Sequence, residues 1–552
     1  MGKNTTVTVL FVLFFLYGII FILNSGFTVS GKLHFSCFDD AMITLNYARN
    51  IVRGNGFVWY PGGEKVEGAS SPLWVIVTAA THLILDSDRY TPGLVQLVSL
   101  IFLLIGIIWL YRLGMLLTEG DVFLSLATSA ITFFYSGLFY WCVMGLEVSL
   151  AFALVSITLF EGARELKLEK TDTLLICVLL ALLILTRNEL LVFCVFFLII
   201  IKVTSVKALV SPGFLLGMLA IFLTVVGISL FRLLYFNEIL PNTYYLKMTG
   251  FPLILRMSRG LYIAILFLKD LSIPLLLVYA CGVFALVHKH GARVTILLSI
   301  PLFMYMGYSI YIGGDAWEHR GGANRWISPF MGLFVICVVF GCAQILESAL
   351  LQLLGKSSHR LQGSAHFKKT LYWVLLLAVY LQMNLCGKNP VFPMIEMLML
   401  RKPMGATVLR EQIMIGDTVS EITHKEAKIA LIIAGTIPYH TEDRQFVDLF
   451  GYNDKILSRG QGHVKTTDWS KYVEYGPGLA KYDLAYSVGK LQPDVIVNLV
   501  GHAIVEFEKQ YGSYYRRLII DLPELNKTAL IWLRKDSPKL NKEELLRRGI
   551  AL

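Results

Sequence analysis

Charge is scarce in this 552-residue chain. Only 16% of its residues are Asp, Glu, Lys or Arg, against 56% hydrophobic ones. A soluble globular domain carries roughly a quarter charged residues, so the composition excludes that class. Cysteine is also sparse. The eight cysteines sit in or beside apolar runs and none follows Cys386, which excludes a disulfide framework for the C-terminal region. Cys37 and Cys142 have neither CxxC nor metal-ligand spacing, so both read as packing residues. Internal repeats, low-complexity tracts and long linkers are missing too.

Long apolar runs are what the chain has in abundance. Those that approach or exceed the length needed to cross hydrocarbon are Thr8–Asn24, Pro92–Tyr111, Phe123–Tyr140, Val148–Phe160, Leu174–Thr186, Leu190–Lys202, Val210–Phe231, Leu271–Val287, Val294–Tyr311, Trp326–Ile345 and Leu371–Leu385. The first lacks a small-residue cleavage site and reads as a retained helix. The expected fold is therefore mainly α, a polytopic membrane helix bundle of about eleven spans.

Basic residues fall in alternate connections: Arg112, then Arg164, Lys167 and Lys170, then Lys202 and Lys207, then Lys289 and Arg293, then Lys356, Arg360, Lys368 and Lys369. The positive-inside rule makes these cytoplasmic if Pro72–Leu85 lies in the interface without crossing. They supply much of the net charge of +10, which argues against nucleic acid as a partner. Beyond about Gly387 charges become dense and no span follows. Lys428–Gly435, Asp494–Val500, Leu518–Asp521 and Ala529–Arg534 read as strands between helices. The expected organisation is a transmembrane domain over residues 1–387, with a first outer loop at 28–91, and an extracytoplasmic α/β domain over 388–552.

Acids then collect at the outer helix ends. The stretch from His34 to Trp74 holds an adjacent pair, Asp39 and Asp40, before a helix predicted over about Ala41 to Val52, with Arg49 and Arg53 on its polar side. One Asp suffices to cap that helix, and an ionisable group at a membrane boundary tends to mark a substrate site. A short hairpin is expected around Pro61-Gly62-Gly63, and Ser70-Ser71-Pro72 starts another helix. Two further outer stretches carry chemistry. FRLLYFNEILPNTYYLKMTG gathers Asn242, Tyr244, Tyr245 and Lys247, which read either as interfacial anchors or as a face for an amphiphilic substrate. YIGGDAWEHRGGANR sets Asp315, Glu318, His319, Arg320 and Arg325 among glycines, which reads as a flexible turn or as a backbone open to a ligand, with Arg forks suited to phosphate. Asp315, Glu318 and His319 could hold a divalent metal, although their spacing is not diagnostic.

Taken in order, DDAMITLNYARN, GNGFVWYPGGEKVEGASSPLW, GLE, LTRNE, LPNTYYLK and GGDAWEHR with NRW resemble the GT-C superfamily of polyprenyl-phosphate-sugar-dependent membrane glycosyltransferases. More narrowly they are similar to the mycobacterial terminal β-(1→2)-arabinofuranosyltransferase family. IPYHTEDRQFVDLFGYND and the Gly462-His463 pair extend the likeness into the C-terminal part. Asn46 and Asn188 depart from that pattern, where relatives often have Arg and Pro. The resemblance implies a lipid-linked sugar donor such as an arabinofuranose carrier, and a glycan or glycoconjugate acceptor. It implies an extracytoplasmic active site with Asp39 or Asp40 as the catalytic acid. Donor and substrate binding would fall to Arg49, Glu67, Glu147, Asn242, Tyr244, Tyr245, Lys247, Asp315, Glu318, His319, Arg320 and Arg325, and acceptor binding to His463. A multi-pass transporter or flippase of lipid-linked sugars is the alternative, and it would be expected to show repeat symmetry and acids near mid-membrane.

Overall fold

The computed structural model describes residues 3–168, 172–203, 206–318, 323–354, 365–385, 391–462, 476–499 and 502–550. The helical part runs α1 (Lys3–Ser25), a hairpin of β1 (Phe27–Val29) and β2 (Lys32–His34), α2 (Asp39–Val52), α3 (Pro72–Ile84), α4 (Thr91–Leu117), α5 (Val122–Phe133), α6 (Ser136–Val143) and α7 (Val148–Leu168). It continues with α8 (Thr173–Thr186), α9 (Leu190–Lys202), α10 (Pro212–Phe236), α11 (Asn242–Met248), α12 (Leu253–Leu271), α13 (Ile273–Ile312), α14 (Met331–Leu354) and α15 (Ala365–Leu385).

Side-chain exposure shows what surrounds this bundle. Leu13, Leu16, Ile20 and Leu23 on α1 are exposed at helical spacing, as are Leu215, Leu219, Phe222, Leu230, Leu233 and Leu234 on α10. Such apolar stripes are tolerable only against lipid. The chain is a multi-pass membrane protein. Five helices are long and apolar enough to cross, or up to seven if the bent pairs α5 with α6 and α11 with α12 each form one span. That range is below the expected eleven for three reasons: α8 and α9 have only 14 and 13 residues, about 20 Å of helix against roughly 30 Å of hydrocarbon; α7 and α15 are not among the helices that are long and apolar enough; and α13 counts once. The long α13 folds back on itself at Gly291, where φ is 80°. Tyr279 Oη lies 3.5 Å from the carbonyl of Ser299, which a straight helix would place far away. Its two arms correspond to the two expected spans there. The first arm crosses α14 at backbone contact, since a Cβ on Gly282 would overlap the Cys337 carbonyl and one on Gly341 the Val278 carbonyl.

After α16 (Val391–Met397) and α17 (Met404–Ile422) come β3 (Lys428–Leu431), α18 (Thr436–His440), β4 (Gln445–Asp448), α19 (Lys455–Arg459), β5 (Val495–Val497), α20 (His502–Tyr511), β6 (Tyr515–Leu522), β7 (Lys527–Arg534) and α21 (Lys542–Arg547). The five strands form one mixed sheet in the order β4-β3-β5-β7-β6, with β3 parallel to β4 and β5, and β7 antiparallel to β5 and β6. Alternation sends Ala430, Ile496 and Trp532 to one face, packed with Phe507. Ile429, Leu431, Val495, Val497, Ile531 and Leu533 go to the other. There they share a core with Ile43, Tyr47 and Ala48 of α2, Trp59, and Val75 of α3. The first outer loop is thus one face of the C-terminal sheet's core.

Two local expectations give way to other structures. Neither Asp39 nor Asp40 caps α2, whose N-cap is Phe38 without a side-chain bond; both acids lie in the first turn. The hairpin around Pro61 is replaced by irregular chain, because Asn50 Nδ2 donates to the carbonyls of Val58 and Trp59 and Trp59 Nε1 to that of Ala434, so side chains take the bonds a ladder would use. The hairpin forms instead at β1 and β2, across Ser30 and Gly31 with φ of 49° and 73°, the positive pair that a two-residue turn requires.

Gly282→Ala should lower the stability of the detergent-solubilised protein by about 1–3 kcal/mol, the usual cost of overpacking a tight crossing. The thermal midpoint measures it, and an unchanged midpoint would show that the α13–α14 approach is looser than described.

Candidate active site

The elements end together around one cavity of about 360 Å³. Asp40 and Thr44 of α2, Glu147 at the α6–α7 turn, Arg187 and Glu189 at the α8–α9 turn, Arg232 near the end of α10, Tyr244 and Lys247 of α11, Tyr308 near the end of α13, Arg325 and Trp326 before α14, and Tyr452 of the C-terminal domain all line it. The short α8–α9 hairpin brings its polar turn into the wall of the cavity. Each contribution comes from a helix end or turn, so the cavity sits at the boundary between bundle and C-terminal domain.

The two neighbouring acids have different tasks. Asp39 Oδ1 accepts from the backbone N–H and hydroxyl of Thr436, both at 2.8 Å, and Oδ2 from the Gly435 N–H at 3.1 Å. Burial pushes its carboxyl up to about 6, against those donors, which favour the ionised form. Asp40, one residue on, faces the cavity. Its Oδ2 accepts from Arg325 Nη1 at 2.5 Å, and no bond to Oδ1 is found among the described residues. Arg325 also grips Asp315 through two bonds of 2.7 Å. Burial raises the Asp315 carboxyl, but the guanidinium outweighs it and holds it down at about 2.

Further cations line the wall. Arg187 is paired with Glu147 at 3.1 Å and Glu189 at 2.5 Å and lies 4.0 Å from the Trp326 ring centroid. Arg232 is held bidentate by Glu67 at 2.7 and 3.0 Å. Lys247 has no carboxylate partner among the described residues; its Nζ lies 5.6 Å from the Trp326 ring and 5.7 Å from Tyr452. Trp326 Nε1 is a buried donor without a partner there. An ammonium and an indole N–H with nothing to bind, beside aromatic faces, suit a phosphate attached to a sugar.

Of the residues singled out from sequence, Asp40, Glu147, Tyr244, Lys247 and Arg325 line the cavity. Glu67, Asn242 and Asp315 stand behind it. Glu67 and Asp315 hold its arginines, and Asn242 Nδ2 donates to the carbonyls of Gly451 and Tyr452 at 2.9 and 2.8 Å. Arg49 is buried away from it, donating to Glu442 at 2.6 Å, the Tyr439 carbonyl at 2.7 Å and Asp88 at 3.1 Å. Tyr245 stacks under Arg459 at 4.1 Å, and Glu318 pairs with Arg259 at 3.2 Å. His319, Arg320 and His463 lie outside the described residues. Arg232, Tyr308 and Trp326 were not singled out. Their signal was position alone, a polar or aromatic side chain within a turn of an apolar run's end.

Of the three side chains named from sequence as metal ligands, Asp315 is held by Arg325 and Glu318 by Arg259, and His319 lies outside the described residues. Among the described residues no three His, Cys, Asp or Glu side chains converge as ligands, and the guanidinium of Arg325 occupies the place between Asp40 and Asp315 that a cation would take.

Solved structures share this architecture. ArnT from Cupriavidus metallidurans bound to undecaprenyl phosphate aligns over 96% of this chain and 98% of its own, at 12% identity and a TM-score of 0.53. The Archaeoglobus fulgidus oligosaccharyltransferase tethered with an acceptor peptide aligns over 94% and 74%, at 10% identity and a TM-score of 0.51. The chain has the GT-C fold. An arabinofuranosyltransferase, AftD from Mycobacteria, aligns over 95% of this chain and 40% of its own at 10% identity, with a TM-score of 0.46, too loose to bear on which sugar is used. Residues 406–531 match a family described as a domain of unknown function, DUF8728. No curated protein matches.

Asp39→Asn should cost about 1–3 kcal/mol, because it leaves a buried donor short of an acceptor. Since Asp39 titrates near 6 when folded and near 3.8 when unfolded, the native form binds the extra proton between those values. The wild type therefore loses stability as pH rises through that window, and the variant does not. The gap between their thermal midpoints should be widest near pH 4 and narrowest above 6; a gap independent of pH would refute the burial of this carboxylate.

Proposed function

We propose that this protein is a glycosyltransferase that moves a sugar from a polyprenyl-phosphate donor to an extracytoplasmic glycan or other glycoconjugate. The observation that carries this reading is Asp40, a carboxylate fixed through one oxygen by Arg325 and facing, among cations and aromatic rings, a cavity at the lipid boundary. The acceptor hydroxyl attacks the anomeric carbon, its proton passes to Asp40, and the bond from the sugar to the phosphate breaks as the glycosidic bond forms. Polyprenyl phosphate leaves with its charge met by Lys247, which has no carboxylate of its own among the described residues. Arg187 and Arg325, already paired, add to the positive field. Leu240 and Tyr311 line the cavity and are exposed, and give the polyprenyl chain a route to the bilayer. The undecaprenyl phosphate held by the ArnT structure is a carrier of the class proposed here.

Arg164 and Lys167 of α7, Lys202 of α9, and Lys289 and Arg293 at the bend of α13 lie at the ends of those helices away from the cavity, which by the positive-inside rule supports an extracytoplasmic cavity and C-terminal domain. In this reading residues 1–387 form the catalytic membrane domain and 388–552 the acceptor-side domain. Arabinofuranose, carried from the sequence resemblance, is the first sugar to test. The acids of the cavity lie at helix ends and not at mid-span, which disfavours a transporter.

With a panel of polyprenyl-phosphate sugars as donors, Asp40→Asn should lower kcat by about 10²–10⁴-fold with an unchanged thermal midpoint, whereas Asp39→Asn, which keeps one oxygen to accept from Thr436 and so loosens the attachment without removing it, should lower kcat far less. Lys247→Met should cost about 100-fold. Wild-type turnover by the Asp40 variant would sink the assignment. In intact cells, Lys509→Cys should react with an impermeant maleimide before lysis; labelling only after lysis would reverse the topology.

A further inference from the structure

A second cavity, of about 440 Å³, lies on the other side of the C-terminal domain's contact with the first outer loop. Lys32 and His34 come from the β-hairpin, Asp86 and Arg89 from the turn after α3, Asp417 from α17 and His440 from the end of α18. From Asp40 to Arg53, which also lines it, α2 spans about 20 Å, so this cavity is well separated from the first.

Asp88 accepts from Arg49 at 3.1 Å, but other polar groups of its lining are unspent. His34 is 8% exposed and its Nδ1 is buried without a partner, as is Nε2 of His440. Among the described residues neither ring makes any hydrogen bond, and their centroids are 5.8 Å apart. Burial, with Arg89 and Lys32 near His34 and with His34 and Arg49 near His440, lowers the two imidazoles to about 4 and 3. Both are uncharged at neutral pH, so each offers one N–H donor and one acceptor. Lys32, Arg89 and Asp417 form no ion pair among the described residues, whereas Arg53 donates to Asp86 at 3.0 Å.

The balance of charge selects the ligand. Three cations, Lys32, Arg53 and Arg89, face three carboxylates, Asp86, Asp88 and Asp417. A phosphate would meet three anions. A metal ion would meet three cations and finds no three converging ligands among the described residues. A hydroxyl-rich neutral molecule can use donors and acceptors alike. We propose that this second cavity binds a neutral saccharide unit of the acceptor glycan, away from the bond being formed. The inference rests on the glycosyltransferase reading for the name acceptor, but saccharide binding can be measured without any transfer.

The test is calorimetric titration of the full chain in detergent with short neutral arabino-, manno- and gluco-oligosaccharides, and with inorganic phosphate and Zn²⁺ as controls. At least one oligosaccharide should bind the wild type and bind Asp40→Asn equally. Affinity should fall about tenfold or more in His34→Gln with His440→Gln, and in Asp417→Asn, whose site is exposed and tolerates exchange without a folding penalty. A loss confined to the histidine variants with a lowered thermal midpoint counts as misfolding, and Asp417→Asn then decides. No saccharide binding by the wild type would overturn the proposal and leave the Asp40 assignment standing. Equal weakening in Asp40→Asn would place the sugar in the first cavity, and binding of phosphate or Zn²⁺ lost with the histidines would assign a different ligand; either result overturns it.

Discussion

Three hydrogen bonds from Gly435 and Thr436 to Asp39 fasten the start of α2 to the start of α18, and the rest of the site depends on that attachment. Asp40 follows Asp39 directly on a helix, so fixing the first carboxylate sets the direction of the second. Around this point Asn46 Nδ2 donates to the Gly435 carbonyl at 2.8 Å, and Arg49 stacks on Tyr439 at 4.3 Å while bonding the chain beyond it. Ten consecutive residues of α2, Ala41 to Asn50, are buried. A helix that reads as amphipathic is enclosed on every side because the C-terminal domain covers the face that would otherwise meet water.

The same logic of holding charges in place governs the cavity wall. Arg325 and Asp315 are almost fully buried, and removing two charges from water costs free energy that only close, multiple bonds offset. Here the bidentate grip on Asp315 leaves one guanidinium nitrogen for Asp40. Glu67 does the same for Arg232. These second carboxylates hold the two guanidinium groups in fixed positions on the cavity wall and offset the repulsion between them.

Periodicity and hydropathy made the helices legible, and β-branched runs such as Ile429–Leu431 and Val495–Val497 made most of the sheet legible. The strand Gln445–Asp448 escaped, being four residues with a polar residue at each end. The site divides along a physical line. Asp40, Glu147, Lys247 and Arg325 could be found because a charge at the end of an apolar run is costly and so informative. That Arg49 serves the domain contact and Lys247 the cavity could not, because both are basic residues near an outer helix end. Only the long-range packing of α2 against the sheet separates them, and that pairing joins residues nearly 400 apart in sequence.

The core shared between the first outer loop and the sheet also fixes an order of events during synthesis. Trp59 and Val75 leave the ribosome hundreds of residues before Ile531 and Leu533, the strand residues that cover them. Thr436 follows earlier than that strand, so the donors to Asp39 are made before the sheet face that covers Trp59 and Val75 is complete. The cavity that Asp40 faces is therefore complete only once nearly the whole polypeptide has been made, because its walls come from both ends of the chain.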